Sequence, residues 1–313
     1  MSQKIKNFGK LIINTLREFY YRFISTPSQV EKILILKLRK QILALPKLGG
    51  QATEFDLWTI HRDSIRKSIL QKDPRFFLNW PEITYTMFHS ARKEELIYLN
   101  NLPNWTEWKR YLAESPVGNP KLYPLMPETS GNLIHYAYAF ARFIENTKFD
   151  FLKANIIFEF GGGYGGMARL AYKMGFKGTY VIFDLPEFLC IQEYFLESSD
   201  PELKISRVPV VNQRTVVLLS EAVEVQKFFS QSYPDLIIGS WSLSESPISL
   251  RNEILQYGND ASSFLIAFQS QFEGVNNLDY FSEMSKRYPT HRWQRFHIDH
   301  LPNNYYLFGT GVR

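Results

Sequence analysis

The chain predicts an α/β fold in which a mostly parallel sheet of seven strands follows a helical N-terminal region. Three observations carry this expectation. Short apolar runs alternate with helical segments after Phe151, a glycine-rich turn joins the first of these runs to the next helix, and the first part of the chain is helix-patterned and broken by prolines. At 313 residues the chain has room for one large domain and a smaller one. The boundary is expected near residue 127, with a helical cap over 1–127 and the α/β domain over 128–313.

Between Lys4 and Ile24 apolar residues recur at spacings of three and four with basic residues between them, the pattern of an amphipathic helix. Such a helix either packs on its own protein or a partner, the simpler reading, or lies on an anionic inner membrane surface as a peripheral contact. Further helices are expected over residues 30–45, 54–71 and 84–100, with prolines at 74, 81, 103, 116, 120, 124 and 127 breaking up the remainder. One more is expected over 130–145, capped by Thr129 or Ser130.

Five strands are expected over residues 156–159, 179–184, 215–220, 236–240 and 264–269, alternating with helices. Two more, over 292–298 and 305–312, are separated only by residues 299–304. That gap is too short for a helical crossover, so this pair should be antiparallel.

Composition narrows the function. Hydrophobic residues make up 45% and charged residues 21%, an ordinary globular balance, and the 16% aromatic content suits ring-lined clefts. The single cysteine, Cys190, cannot form an internal disulfide and sits in an apolar stretch, as expected of a buried spectator thiol in a reducing cytoplasm. No apolar run reaches the length of a transmembrane helix, and the start lacks the continuous apolar stretch and cleavage site of a secretory signal. Residues 1–40 hold nine Lys/Arg against Glu18 and Glu31, a net +7. The whole chain carries only +5, which leaves about −2 for the remainder and argues against a nucleic-acid-binding body.

The glycine turn reads Glu159-Phe160-Gly161-Gly162-Gly163-Tyr164-Gly165-Gly166, after a strand and before a helix. Glycines there permit backbone conformations denied to other residues and let a ligand approach the main chain, while the helix start offers unpaired N–H donors. Asp184 ends the next strand, where a carboxylate can accept hydrogen bonds from both hydroxyls of a ribose. Glu159 could instead cap local N–H groups, and Asp184 could cap the helix that begins at Pro186. A nicotinamide-binding domain shares the glycines and Asp184. It commonly continues with further parallel units, however, where this chain ends in an antiparallel pair.

The string acid-x-Gly-x-Gly-x-Gly over Glu159, Gly161, Gly163 and Gly165 resembles motif I of the class I S-adenosylmethionine-dependent methyltransferases, which have a Rossmann-like fold. At closer range, residues 157–170 and 180–187, with Ser130-Gly131-Asn132-Leu133-Ile134-His135-Tyr136 upstream and Asp235-Leu236-Ile237-Ile238-Gly239-Ser240-Trp241-Ser242-Leu243-Ser244-Glu245 downstream, resemble the bacterial sugar O-methyltransferases associated with surface-polysaccharide biosynthesis. The resemblance covers about residues 128–312. It implies S-adenosyl-L-methionine as methyl donor. Glu159, Gly161, Gly163, Tyr164 and Gly165 would form the donor loop, Asp184 would bind ribose, Leu185 would pack beside adenine, and Ser240, Trp241 and Ser242 would contact donor or substrate. Ser220 and Glu221, after the third strand, would lie near the adenine edge. An Asn-Pro-Pro-Tyr type motif is absent after the fourth strand, which favours a hydroxyl acceptor over an amide or nucleobase nitrogen.

Methyl transfer to an alcohol needs a positioned base. His297 is the first candidate, at a strand end with Asp299 to orient it; Glu245 is its rival, and His300 is nearby. His135 and Gln269 are candidate substrate contacts, with Gln271 beside the latter. For each histidine a structural hydrogen bond is the plainer role, as is a helix-start carboxylate for Glu245. No compact carboxylate cluster suggests a metal. Other readings are a methyltransferase for a different small or lipid-linked acceptor, or a non-catalytic binding protein on a degenerate fold.

Overall fold

A computed structural model describes residues 26–48, 57–87 and 93–311. The helix expected over residues 4–24 lies outside them. Two compact units are built from the described residues, one up to Tyr138 together with Pro186–Pro201, the other from Ala139–Leu185 and from Glu202 onward.

The first unit is helical. Helix α1 (Gln29–Ala44) begins in a reciprocal cap, in which Ser28 Oγ accepts from the Glu31 N–H at 3.2 Å and Glu31 Oε2 accepts from the Ser28 N–H at 2.8 Å. It buries Ile35, Leu38 and Ile42, which recur at helical spacing. Then follow α2 (Leu57–Gln71), a 3₁₀ turn Pro74–Asn79, α3 (Pro81–Met87), α4 (Lys93–Asn100) and α5 (Trp105–Tyr111). Of the helix expected over 84–100, residues 88–92 lie outside the described ones. The antiparallel hairpin β1 (Leu122–Tyr123) and β2 (Met126–Ser130) leads into α6 (Gly131–Thr147), where Ser130 Oγ accepts from the Leu133 N–H at 3.1 Å and so supplies the expected cap. The prolines of this stretch concealed both the hairpin and α5 from a reading of pattern alone.

Helix α8 (Pro186–Ser199) belongs to the same unit and is tied to α2 by charge. Glu187, fully buried, accepts from Arg62 Nε at 2.7 Å and Arg66 Nε at 2.6 Å. Burial by itself would push this carboxyl up, but bonds from Arg62, from the backbone and from Arg66 hold it below its ordinary value.

The second unit is a single eight-stranded sheet in the order β11-β12-β8-β7-β3-β4-β6-β5. Its strands are β3 (Ile156–Phe160), β4 (Thr179–Phe183), β5 (Lys204–Ser206), β6 (Thr215–Leu219), β7 (Leu236–Ser240), β8 (Ser263–Gln269), β11 (His291–His297) and β12 (Asn304–Gly311). Pairing is parallel from β5 through β8, and β12 lies antiparallel to both β8 and β11. This is the expected mostly parallel sheet with an antiparallel C-terminal strand, extended by the short edge strand β5. β3, β4 and β6 are buried along their whole length, which requires near-continuous apolar sequence and explains the runs Ile-Ile-Phe, Tyr-Val-Ile-Phe and Val-Val-Leu-Leu.

The pleat divides these side chains between two faces. Phe158, Val181, Val217, Ile237 and Ile266 pack with Phe228, Ile254 and Phe281 of α9 (Ala222–Phe229), α10 (Ile248–Leu255) and α11 (Asn277–Lys286). On the opposite face, Tyr180 meets Tyr172 of α7 (Gly166–Lys173), and Phe308 meets Phe143 of α6. Glu159, one residue on from Phe158, is on this second face. Between β8 and α11 the short pair β9 (Gln271–Phe272) and β10 (Val275–Asn276) turns through Glu273 and Gly274, both at positive φ.

Glu187→Ala is expected to cost about 3 kcal/mol, because it strands two guanidinium groups beside a buried site. Because the native carboxyl titrates below its unfolded value, its contribution is present above that value and is lost as pH falls through the native one. Urea unfolding of the wild type and variant at neutral and acidic pH measures both effects.

Candidate functional site

The order of the strands reverses at β3. From there the chain runs outward through β4 and β6, then returns to place β7 on the other side of β3. A crevice opens outside the C-terminal ends of such a pair, since the connections leave β3 and β7 in opposite directions. The expected glycine loop follows β3, and residues 241–245 follow β7.

The two loops touch. Ser242 Oγ donates to the Phe160 carbonyl, and a Cβ on Gly161 would overlap Ser242. Gly161 (φ +74°) donates its N–H to the Phe183 carbonyl at 2.8 Å, which anchors the start of the turn to the end of β4. Gly165 (φ +90°) then sets the direction of α7, whose first turn begins one residue later. Side chains other than glycine are disfavoured at both positions by sterics, so the backbone stays bare where the chain reverses.

Beneath the loop the Glu159 carboxyl is 1% exposed and accepts from the Tyr180 hydroxyl at 2.9 Å. Burial pushes it up to about 8, against the opposing hydrogen bond from Tyr180 and with the help of the Asp184 charge. Glu159 is therefore largely protonated at neutral pH, and it lies within reach of the loop, since a Cβ on Gly162 would be 3.3 Å from its Oε2. Asp184 is half-buried at the end of β4, and its Oδ1 accepts from the Leu185 N–H at 2.7 Å. Tyr164 is buried in the loop and Leu185 is half-buried beside Asp184. Residues 159–168 contain no lysine or arginine. Bare backbone, two carboxyls and no cation suit a neutral or cationic ligand bearing a ribose better than a pyrophosphate.

A second cluster follows β7 and β8. Trp241, a non-glycine residue at φ +62°, is buried after Ser240, with its indole N–H donating to Asn304 Oδ1 at 2.6 Å. Ser244 Oγ is 2.6 Å from the Trp241 carbonyl and 2.7 Å from Gln269 Oε1, two acceptors that share its single proton, and Gln269 Nε2 donates to Glu245 Oε1 at 3.4 Å. Arg251, 1% exposed, bonds the carbonyls of both residues that flank Glu245. Its Nη2 donates to the Ser244 carbonyl and its Nε to the Ser246 carbonyl, each at 2.7 Å. Its Nη1 donates to Asn277 Oδ1 at 2.7 Å, while Asn277 Nδ2 donates to the Gln269 carbonyl at 3.0 Å. Burial pushes the Glu245 carboxyl up to about 7, with Gln269 opposing and the Glu273 charge adding to the rise. A carboxyl poised there exchanges protons readily near neutrality.

The remaining candidates lie elsewhere. His297 ends the edge strand β11, three strand spacings, about 14 Å, from β7. Its side chain is 45% exposed, and Nδ1 is 3.2 Å from Asp299, itself 98% exposed. His135 belongs to the first unit, where it is 1% exposed with Nδ1 2.6 Å from the buried Glu95 Oε1. Gln271 is exposed in β9, and Ser220 and Glu221 precede α9. Tyr180, Ser244, Arg251, Asn277 and Asn304 were not singled out from sequence. A polar residue inside an otherwise apolar strand, as Tyr180 is, was the one available signal; the others act through contacts between distant segments.

No family model and no curated protein matches the sequence. Among solved structures, the mitomycin 7-O-methyltransferase MmcR is 12% identical, the match covering 91% of this chain and 76% of that one at a TM-score of 0.38. The magnesium protoporphyrin IX methyltransferase ChlM of Synechocystis PCC 6803, solved with bound SAH, is 8% identical over 70% of this chain and all of that one, also at 0.38. The methyltransferase domain of the bacterial protein CtHen1-CN is 14% identical over 56% of this chain and 97% of that one, again at 0.38. At such low TM-scores these likenesses carry no weight; the strand order and the site geometry do.

Because the Glu159 carboxyl titrates higher in the fold than in the unfolded chain, its contribution is fully present below its ordinary value of 4.5 and is lost as pH rises through about 8. Stability should fall by about 1.4 kcal/mol per pH unit from this group over that window. Glu159→Gln should flatten the slope, as thermal unfolding across pH would read. Gly161→Ala combines a positive φ with overlap on Ser242, and is expected to cost at least about 1–2 kcal/mol in the same measurement.

Proposed function

We propose that the protein is an S-adenosylmethionine-dependent O-methyltransferase whose acceptor is a hydroxyl of a sugar or growing glycan. One observation carries the reading: at the reversal of strand order, a cation-free glycine loop flanked by Glu159 and Asp184 meets a loop bearing a carboxyl held near neutral pH. The donor supplies an electrophilic methyl group on a sulfonium. Asp184 accepts the ribose hydroxyls, and the glycine loop offers backbone groups to the amino-acid portion. The protonated Glu159 keeps the loop seated on β3 without placing a bare charge in the sheet.

Glu245 takes the proton of the acceptor hydroxyl as its oxygen forms the bond to the methyl carbon. Gln269, half-buried at the end of β8, suits the hydroxyl groups of a sugar ring. Arg251 bonds the Ser244 and Ser246 carbonyls on either side of Glu245, so the carboxylate is presented without a large entropic loss. Glu245 replaces His297 as the base because it follows the strand next to the glycine loop, whereas His297 sits in an exposed pair at the sheet edge. Association with surface-polysaccharide synthesis is part of the proposal and rests on the sugar-methyltransferase resemblance.

Calorimetry is expected to show binding of S-adenosylmethionine and none of NAD; the reverse would sink the proposal. Asp184→Ala should weaken donor binding about tenfold or more, through loss of a charge-assisted pair of hydrogen bonds. With nucleotide sugars and glycans as acceptors, S-adenosylhomocysteine release should rise with pH through about 7 as Glu245 ionises. Glu245→Gln should lower kcat about 100-fold or more and remove that limb. Full turnover in Glu245→Gln alongside loss in His297→Ala would return the base to His297.

A further inference from the structure

The outward face of α1 has no counterpart in the chemistry above. Val30, Ile33, Leu36 and Leu43 are exposed there at 66%, 56%, 65% and 71%, although Ile35, Leu38 and Ile42 bury the opposite side of the same helix. Spacings of three and seven place these four residues in one stripe about 20 Å long. Single exposed aliphatic residues are ordinary, but four in a row on one helix mark a contact surface. Lys32 and Lys40 are exposed within the same stripe, and no acidic residue lies in it. Of the acids around it, Glu31 on the same helix accepts from the Ser28 N–H, and Glu193 and Glu197 of α8 are both taken by Lys37, at 2.8 Å and 2.5 Å.

Charge decides between occupants. Two copies packed through this face would bring lysines together with no carboxylate to meet them. Residues 1–25 carry Lys4, Lys6, Lys10, Arg17 and Arg22 against Glu18, the same sign as the stripe. A surface that takes aliphatic side chains and welcomes lysines is the headgroup region of a bilayer rich in anionic lipid. We infer that the outer face of α1 docks peripherally on an anionic lipid surface, with Ile33 and Leu36 inserted at the level of the headgroups and Lys32 and Lys40 paired with lipid phosphates. No helix among the described residues is long and apolar enough to cross a membrane, so the contact is one of lying on the surface.

Sedimentation of the full chain with vesicles tests this directly. The protein is expected to pellet with vesicles of phosphatidylcholine mixed with phosphatidylglycerol, to remain in solution with phosphatidylcholine alone, and to be released by salt. Ile33→Asp with Leu36→Asp, and separately Lys32→Glu with Lys40→Glu, should each lower the bound fraction about tenfold or more. Both pairs are exposed, so the thermal unfolding temperature should be unchanged in either variant. Failure of the wild type to bind, or wild-type binding by both variants, would overturn the inference; so would a dimer in sedimentation equilibrium that the aspartate pair dissociates while vesicles leave the wild type in solution. None of these measurements depends on the donor or acceptor proposed above.

Discussion

The hydrogen bond from Ser242 to the Phe160 carbonyl joins the loops that leave β3 and β7, and the rest of the site depends on that meeting. It requires that Gly161 have no side chain, that β7 return beside β3 rather than continue outward, and that both strands be buried enough to hold register. A parallel sheet supplies this by sending every connection over its face, so that only the reversal point leaves a crevice unfilled. Function collects there because the scaffold cannot fill it with its own side chains.

Around that crevice the protein buries polar groups against hydrogen-bond partners from distant segments. Burial raises the Glu159 carboxyl in the central strand to about 8, and Tyr180 bonds it. Arg251 keeps its charge but spends it on two carbonyls and an amide, and its guanidinium lies 4.9 Å from the Tyr280 ring. Both arrangements follow from the cost of burying charge, and each leaves a consequence nearby. The protonated Glu159 permits a tightly seated glycine loop. The Arg251 clamp fixes the main chain of Glu245 while leaving its side chain to Gln269 and the crevice.

The helical unit answers to different constraints. Its prolines break up the chain between helices, and charge as well as apolar contact ties α2 to α8, through Glu187 and through Trp58 on Phe188. α1 is the exception, apolar on both sides, with lysines on the outer one. A helix so made has no single face that water prefers, which is why its outer stripe is best understood as half of a contact.

The sheet could be read from the sequence almost residue for residue. Runs such as 156–158 and 236–238 are apolar, and the six-residue link between the last two strands allows only an antiparallel pair. The glycine loop and Asp184 were legible for the same reason: their chemistry is set by neighbours within a few positions along the chain. The raised proton affinity of Glu159 was not, since it depends on burial beneath a loop, with Tyr180 bonding it from the neighbouring strand. Nor was the difference in surroundings between His297, the first candidate for the base, and its rival Glu245, both near strand ends. Strand order placed His297 exposed at the sheet edge and Glu245 half-buried beside the reversal point, where Arg251 bonds the carbonyls of its two neighbours, five and seven positions away in sequence. Sequence determines which local chemistry is available; the tertiary fold decides which of it is desolvated, and desolvation is what changes a carboxyl's affinity for its proton.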